Sequence, residues 1–452
     1  MESVAPRLAR WVDALTYEKL PLDVVELTKK CLLDQIGCQL VGATLPHVQP
    51  VFRHVAELAA KGDSTITLYG SRTAPIYAAY VNGTFGHAFE FDDSHALCGH
   101  PGVCVISSAL AFGEHYRRSG QDLIEAIVAG YQSMALSGAA IHKSSRRLGW
   151  HGTKVQGVFG SAAAAAKLLR LDPGKITHAL AIAGSEASGT MEYDQSGGEV
   201  KRLHAGSASR SGAQAALLAH LGLTGPSTIF EGKRGIFHLF GDGFDADPES
   251  FWATDFHIRR TMFKLTPAVF TIHGAIQAAL QLHKDKQVDH RDVVRIEAEV
   301  AEITVPHGAG IVRPCDMIGA QFSLAFSVGL SLVRGHNRLA DYVDSTAWRD
   351  PEILAIADRV TVRAVPLAPG VSEFCARLTV HLRDGRTIVQ DQPVPRGHHD
   401  NPATFADILE KFDTLTAELI AGDQRQRIID AVQNLEALDD CSRLTKLMVR
   451  VC

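Results

Sequence analysis

The densest run of chemically capable side chains is His87-Ala88-Phe89-Glu90-Phe91-Asp92-Asp93-Ser94-His95, followed by Gly99-His100-Pro101-Gly102. It sets three histidines and three carboxylates within fourteen residues, between two apolar helical stretches. Imidazole is the side chain whose charge changes nearest neutrality, and carboxylates orient it or move protons beside it. A loop between helix ends can present such groups from a rigid scaffold. The segment therefore predicts acid/base chemistry. Two blander arrangements use the same residues: a metal held by Asp and His, or helix capping by Asp92 and Asp93 on a solvated face. No HExxH pattern accompanies the segment, so no metal is expected.

Three further clusters follow. In Gly149-Trp150-His151-Gly152-Thr153-Lys154, His151 precedes an alanine-rich helix, where the helix N-terminus favours an anion or a neutral imidazole. His151 alone fits a satisfied structural histidine as well as a catalytic one. In Glu199-Val200-Lys201-Arg202-Leu203-His204-Ala205-Gly206-Ser207, Lys201 and Arg202 could clamp a carboxylate, with a solvated helix start as the alternative. Phe263-Lys264 and His273 sit where the character of the sequence changes, a favoured place for a binding site. Together the clusters point to a small anionic substrate, with Lys and Arg on its carboxylates and His moving protons. No GxGxxG, GxxxxGK[ST] or GxSxG segment appears in a fitting context, which lowers hydride transfer, nucleotide hydrolysis and serine-esterase chemistry.

The elements that must position these residues come from 452 residues, 46% hydrophobic and 21% charged, enough for a large core and more than one domain. A net charge of -5 argues against a nucleic-acid partner. Met1–Arg10 has no apolar core of a signal peptide, and no run of 18 apolar residues is free of charge, so neither secretion nor a membrane partner is expected. The eight cysteines are dispersed without a CxxC pair, which predicts a reducing, cytoplasmic setting and no zinc knuckle or iron–sulfur cluster.

Periodicity predicts a mainly helical first part. Runs from Pro21, Val103–Tyr116, Asp122–Met134, Lys154–Leu169, Ile176–Ala187 and Ser207–Leu221 read as helices, rich in Ala and Gly and suited to close packing. Past Lys264, strands are predicted at Val293–Ile303, Val360–Pro366 and Cys375–Leu382. Asp384-Gly385 then supplies the left-handed positions of a hairpin returning through Thr387–Gln390. Gly319–Leu332 and Pro351–Ala357 read as helices between strands, and from Phe405 the pattern is helical again. The expected fold is mainly α with an α+β second domain: a helical domain at 1–262, an α+β domain at 263–400, and helices at 401–452 returning to the first.

At this point the sequence resembles the MmgE/PrpD family, which includes 2-methylcitrate dehydratase, cis-aconitate decarboxylase and iminodisuccinate epimerase. The resemblance is carried by Tyr80-Val81-Asn82-Gly83, His87, Phe91-Asp92-Asp93, His100-Pro101 and Gly198–Gly206. It continues through Leu223-Thr224-Gly225-Pro226, Glu231-Gly232, Lys264 with His273, Asn401-Pro402 and Lys411-Phe412. It implies a helical domain with an α+β lid, a homodimer, and no metal or organic cofactor. It places Glu90, Ser94 and His100 in the binding site, with His151, Lys201 and Lys264. Phe326 stands where decarboxylase-like members have tyrosine, Glu90 where they have aspartate, and Ser94 where they have threonine. Phe326 lacks a hydroxyl donor, which ranks cis-aconitate decarboxylation below other proton chemistry.

The mechanism this implies holds a di- or tricarboxylate with Lys201, Lys264 and Arg202, His204 and His273 adding to the binding set. His151 or His100 takes the proton beside a carboxylate. The other histidine, or protonated Glu90, protonates the leaving hydroxyl. Asp93 orients a histidine or the loop, and Asp92 reads as a cap. A cofactor-independent dehydratase of the 2-methylcitrate type is the leading expectation, as the broadest activity of the family. Epimerisation of an amino- or imino-dicarboxylate is the alternative, ahead of decarboxylation or a non-catalytic binding role.

Overall fold

The computed structural model describes residues 2–193, 198–241, 255–285 and 288–451. The chain forms two compact units: Met1–Ala88, Asp92–Thr261 and Thr404–Cys452 make unit 1, and Phe89–Phe91 with Met262–Ala403 make unit 2. Unit 1 is large and mainly helical, and unit 2 is a smaller α+β body. Among the described residues no helix is long and apolar enough to cross a membrane. The seven described cysteines are free thiols.

The helices of unit 1 that bear on the site are α1 (Leu22–Gly42), α2 (Pro75–Gly86), α3 (Pro101–His115), α4 (Gly120–Ala139), α5 (Gly152–Val155), α6 (Gly157–Leu168), α7 (Pro173–Ser185) and α8 (Val200–His220). Their ends follow local chemistry. Pro75, Pro101 and Pro173 open α2, α3 and α7, where a missing N–H is harmless. Ser119 and Asp122 form a reciprocal cap on α4, and the Asp172 carboxylate accepts from the Lys175 N–H at 3.1 Å. After α3, Arg117 turns left-handed at φ 50° and stops the helix.

Small residues let these helices touch backbone to backbone. A Cβ on Gly206 of α8 would fall 2.1 Å from the Tyr80 carbonyl and 2.1 Å from Thr84 Oγ1, both on α2. This approach fixes the first turn of α8 beside the C-terminal end of α2. The expected continuous helix over Lys154–Leu169 is instead two, α5 and α6, parted at Gln156. The next residue, Gly157, is pressed against α3, where a Cβ would lie 2.7 Å from Cys104 Sγ. The helix Phe405–Thr416, first of the returning segment, packs on α1 and is tied to it by Lys411 Nζ to Asp34 Oδ1 at 2.6 Å, with both side chains buried.

Besides the short antiparallel pair β1 (Ser64–Thr65) and β2 (Arg72–Thr73) of unit 1, unit 2 carries a sheet of four strands. These are β3 (Val293–Val300), β4 (Val360–Ala364), β5 (Ala376–Leu382) and β6 (Thr387–Gln392), in the order β4-β3-β5-β6. β3 and β4 are parallel, and the remaining pairs are antiparallel. The parallel pair needs a long crossover, which the helices between them supply. Ile296, Ala298 and Val300 alternate inward on β3, as do Leu378, Val380 and Leu382 on β5.

Two sequence expectations are corrected in this unit. The helix expected over Gly319–Leu332 is interrupted, giving a short helix at Met317–Gln321 and a second at Leu324–Arg334, because the Ser323 side chain caps the second by accepting from the Phe326 N–H at 3.0 Å. In the hairpin only Gly385 is left-handed, at φ 87°. The Asp384 carboxylate instead accepts from the Arg386 N–H at 3.0 Å, an Asx turn that does part of the work expected of a second left-handed residue.

Candidate active site

Four imidazoles converge in unit 1, each delivered by a helix end. His87 follows the last turn of α2, His100 is the residue before Pro101 of α3, and His151 is the residue before α5. His204 lies in the first turn of α8, three residues after Lys201 and so on the same face. Ring centroids are 4.8 Å apart for His100 and His87, 6.1 Å for His87 and His151, and 5.1 Å for His151 and His204.

The hydrogen bonds assign the protons. His87 Nδ1 is 2.9 Å from Asp92 Oδ2, and a carboxylate only accepts, so Nδ1–H donates. In neutral His87 the Nε2 then carries the lone pair, and that buried nitrogen has no hydrogen-bond partner among the described residues. His100 Nδ1 lies 2.7 Å from the Asp93 carbonyl and 3.0 Å from Asp92 Oδ2, so it too is a donor on that side. These donor atoms and the Asp92 oxygen would also fall within ligand distance of a cation. Their bonding to acceptor oxygens fits protons instead. His151 Nδ1 and His204 Nδ1 are 2.9 Å apart, so one of the two is protonated and the other accepts.

Burial keeps three of these rings neutral at pH 7. It pushes His87 down to about 4, with the Asp92 carboxylate only partly opposing it. Burial also carries His151 well below its usual value, and His204 and Lys201 oppose a second positive charge beside them. His204 is pushed down to about 4 by burial, then by Lys154 and Lys201. Asp93 moves the other way, up to about 7, because it is fully buried. Its carboxylate accepts from Tyr131 Oη at 2.6 Å and from the Gly102 N–H at 2.9 Å, so it anchors the start of α3 while its carbonyl holds His100.

Sequence reasoning named His100, His151, Lys201 and His204, all of which belong to unit 1. Arg202 is buried in the same turn as Lys201, and Ser94 is half-buried after Asp93. The reading of Asp92 and Asp93 as caps on a solvated face is corrected: both are buried, and Asp92 serves two histidines. The solvated helix start considered for Lys201 and Arg202 is corrected likewise, since both side chains are buried. Glu90 and Lys264 lie in unit 2, where Lys264 Nζ meets Glu90 Oε2 at 3.0 Å with both side chains 1% exposed. His273 is fully buried there, its Nε2 3.1 Å from the Ala268 carbonyl and its ring stacked on Phe270. Phe326 sits in the hydrophobic core of unit 2, edge-on to Tyr342.

Missing from the sequence-derived site were His87, Asp92 and Tyr193. His87 and Asp92 stood in the densest polar segment, and their spacing was the available signal. Tyr193 packs edge-on against His151 at 5.5 Å and His204 at 5.8 Å, and nothing in its sequence neighbourhood marked it.

Comparison with known proteins adds an independent line. The model of the MmgE/PrpD N-terminal domain matches residues 6–249, and that of the MmgE/PrpD C-terminal domain matches residues 267–437. The cis-aconitate decarboxylase-like protein oryM of Aspergillus oryzae is 29% identical, over 99% of this chain and 97% of its own. A cis-aconitate decarboxylase of Aspergillus terreus is 29% identical over 98% of this chain and 96% of its own. The human cis-aconitate decarboxylase is 28% identical over 99% of this chain and 95% of its own.

Proposed function

The chain belongs to the MmgE/PrpD family, and from that premise we propose that it is a lyase moving a proton at a carbon beside a carboxylate of a small di- or tricarboxylate. The observation that carries this reading is the cluster of buried, neutral imidazoles with Lys201 beside it. A neutral imidazole accepts a proton at pH 7. A buried ammonium stabilises the enolate-like charge that appears when the proton leaves.

In the leading reading the substrate is a hydroxy acid of the 2-methylcitrate type and the net reaction is loss of water. His151 takes the proton on Nε2, while its Nδ1–H donates to His204 Nδ1 and steadies the imidazolium that forms. His100, whose Nδ1 is held 3.0 Å from the Asp92 carboxylate and 2.7 Å from the Asp93 carbonyl, is assigned as the acid that protonates the departing hydroxyl. His87 shares Asp92 with His100 and so fixes the carboxylate that orients the acid.

Decarboxylation of a cis-aconitate-like acid is the second reading, favoured by the names of the relatives. It begins with proton delivery to carbon, whereas dehydration begins with proton removal. Rings held neutral by burial suit proton removal better. Incubation with hydroxy-tricarboxylates, cis-aconitate and aminodicarboxylates, with products followed by NMR, tests the assignment. Water loss is the expected outcome. Carbon dioxide loss selects the second reading, inversion without loss of mass selects an epimerase, and no conversion of any of them overturns the lyase.

A further inference from the structure

We propose that Lys154 is a further anion-binding residue of the imidazole site, holding a carboxylate additional to the one at Lys201 and so setting a preference for tricarboxylates. This inference rests on the carboxylate reading above. Lys154 closes the Gly149–Lys154 cluster but had no role in the sequence reading. Its N–H donates to the His151 carbonyl at 2.9 Å, which fixes it one turn after that histidine. Its stem and the His204 ring share the space beneath Gly189. A Cβ on Gly189 would lie 2.8 Å from both Cβ and Cγ of Lys154 and 3.4 Å from His204 Cε1. Gly189 also holds His151, accepting its N–H at 2.9 Å. Lys154 therefore follows His151 by one turn and, like Lys201, lies beside His204.

The side chain is 5% exposed, and among the described residues no carboxylate lies within ion-pair distance of it. Glu186 acts on the ammonium only from farther away, and Arg210 opposes its charge. A buried cation without an adjacent anion is costly to maintain. Burial pulls this one down to about 8, so it is still charged near neutrality. A ligand carboxylate would supply the missing partner, and the position of Lys154 beside His204 would set that carboxylate at the edge of the proton-transfer groups.

Calorimetric titration of the full chain with two unreactive acids tests this: tricarballylate, with three carboxylates, and succinate, with two. Lys154→Met should weaken tricarballylate about tenfold or more and succinate by about twofold at most, as expected for loss of one charge-assisted contact. Lys154→Arg should recover most of the tricarballylate affinity, and Lys154→Gln repeats the comparison should the methionine variant not fold. Equal weakening of both acids, or of neither, overturns the role of Lys154 alone. Failure of the wild-type protein to bind either acid overturns the carboxylate reading, and the inference with it.

Discussion

Asp92 is the residue on which the protonation pattern of the site turns. One of its oxygens accepts from His87 at 2.9 Å and lies 3.0 Å from His100. Asp92→Asn keeps the size but can present an N–H to His87 Nδ1, which would force the ring proton to Nε2 and remove its lone pair from the cluster. Turnover should fall roughly 10²-fold or more, in the range of acid/base contributions, with the melting temperature little changed. Wild-type turnover in this variant would rule out a role for Asp92 in orienting these histidines. The residue types were legible in the sequence here, because histidines and carboxylates crowd into one segment. Their division was not. Sequence adjacency put Glu90 and Asp92 in one list, while folding pairs Glu90 with Lys264 in unit 2 and Asp92 with histidines in unit 1. Tyr193 was illegible because its contact with His151 and His204 is made only in three dimensions.

At the scale of the elements, the site depends on how closely α8 approaches α2. The carbonyl of Tyr80 fills the place of a Gly206 side chain, so Lys201 and His204 are held by backbone contact. Gly206→Ala should destabilise the protein by about 1–3 kcal/mol through overpacking and lower turnover together with it, both measurable by urea unfolding and a rate assay. Full stability in that variant would mean that α8 can shift without harm. Helix starts were legible because caps are local: Asp172 and Ser119 bond to the first turn just after them. Interior breaks were not. The parting at Gln156 depends on how Gly157 meets α3, and the short turn before Leu324 depends on whether Ser323 spends its hydroxyl on a cap.

For the whole molecule, the buried histidines tie stability to pH. Burial holds His87, His204, His257 and His398 at about 4 and carries His151 well below its usual value, against an unfolded value near 6.5. Their folded values are depressed, so their contribution is complete above about 6.5 and is lost as pH falls toward 4, where the unfolded chain binds protons that the folded chain refuses. Asp93 opposes this. Its folded value is raised to about 7, so its contribution is present at low pH and fades as pH rises from about 4 through 7. Five groups outweigh one, and unfolding free energy should drop by about 1.4 kcal/mol per pH unit for each net proton. Urea midpoints at pH 7.5, 6 and 5 should fall in that order; a flat series would mean that these imidazoles are not neutral in the folded state.

The fold class was legible at this scale, since helical periodicity gives way to alternation near Lys264 and returns after Phe405. The net charge of -5 carried no hint of the buried cations around His204, because a total charge does not record where charges lie. The central claim is that an imidazole of this cluster exchanges a proton with a carbon beside a carboxylate. NMR of the reacting polycarboxylate in deuterated water measures this directly, for the wild-type protein and for His151→Ala and Lys201→Ala. Deuterium should enter at that carbon with the wild-type protein and slow by roughly 10²-fold or more in both variants. Equal exchange in all three proteins would contradict the claim.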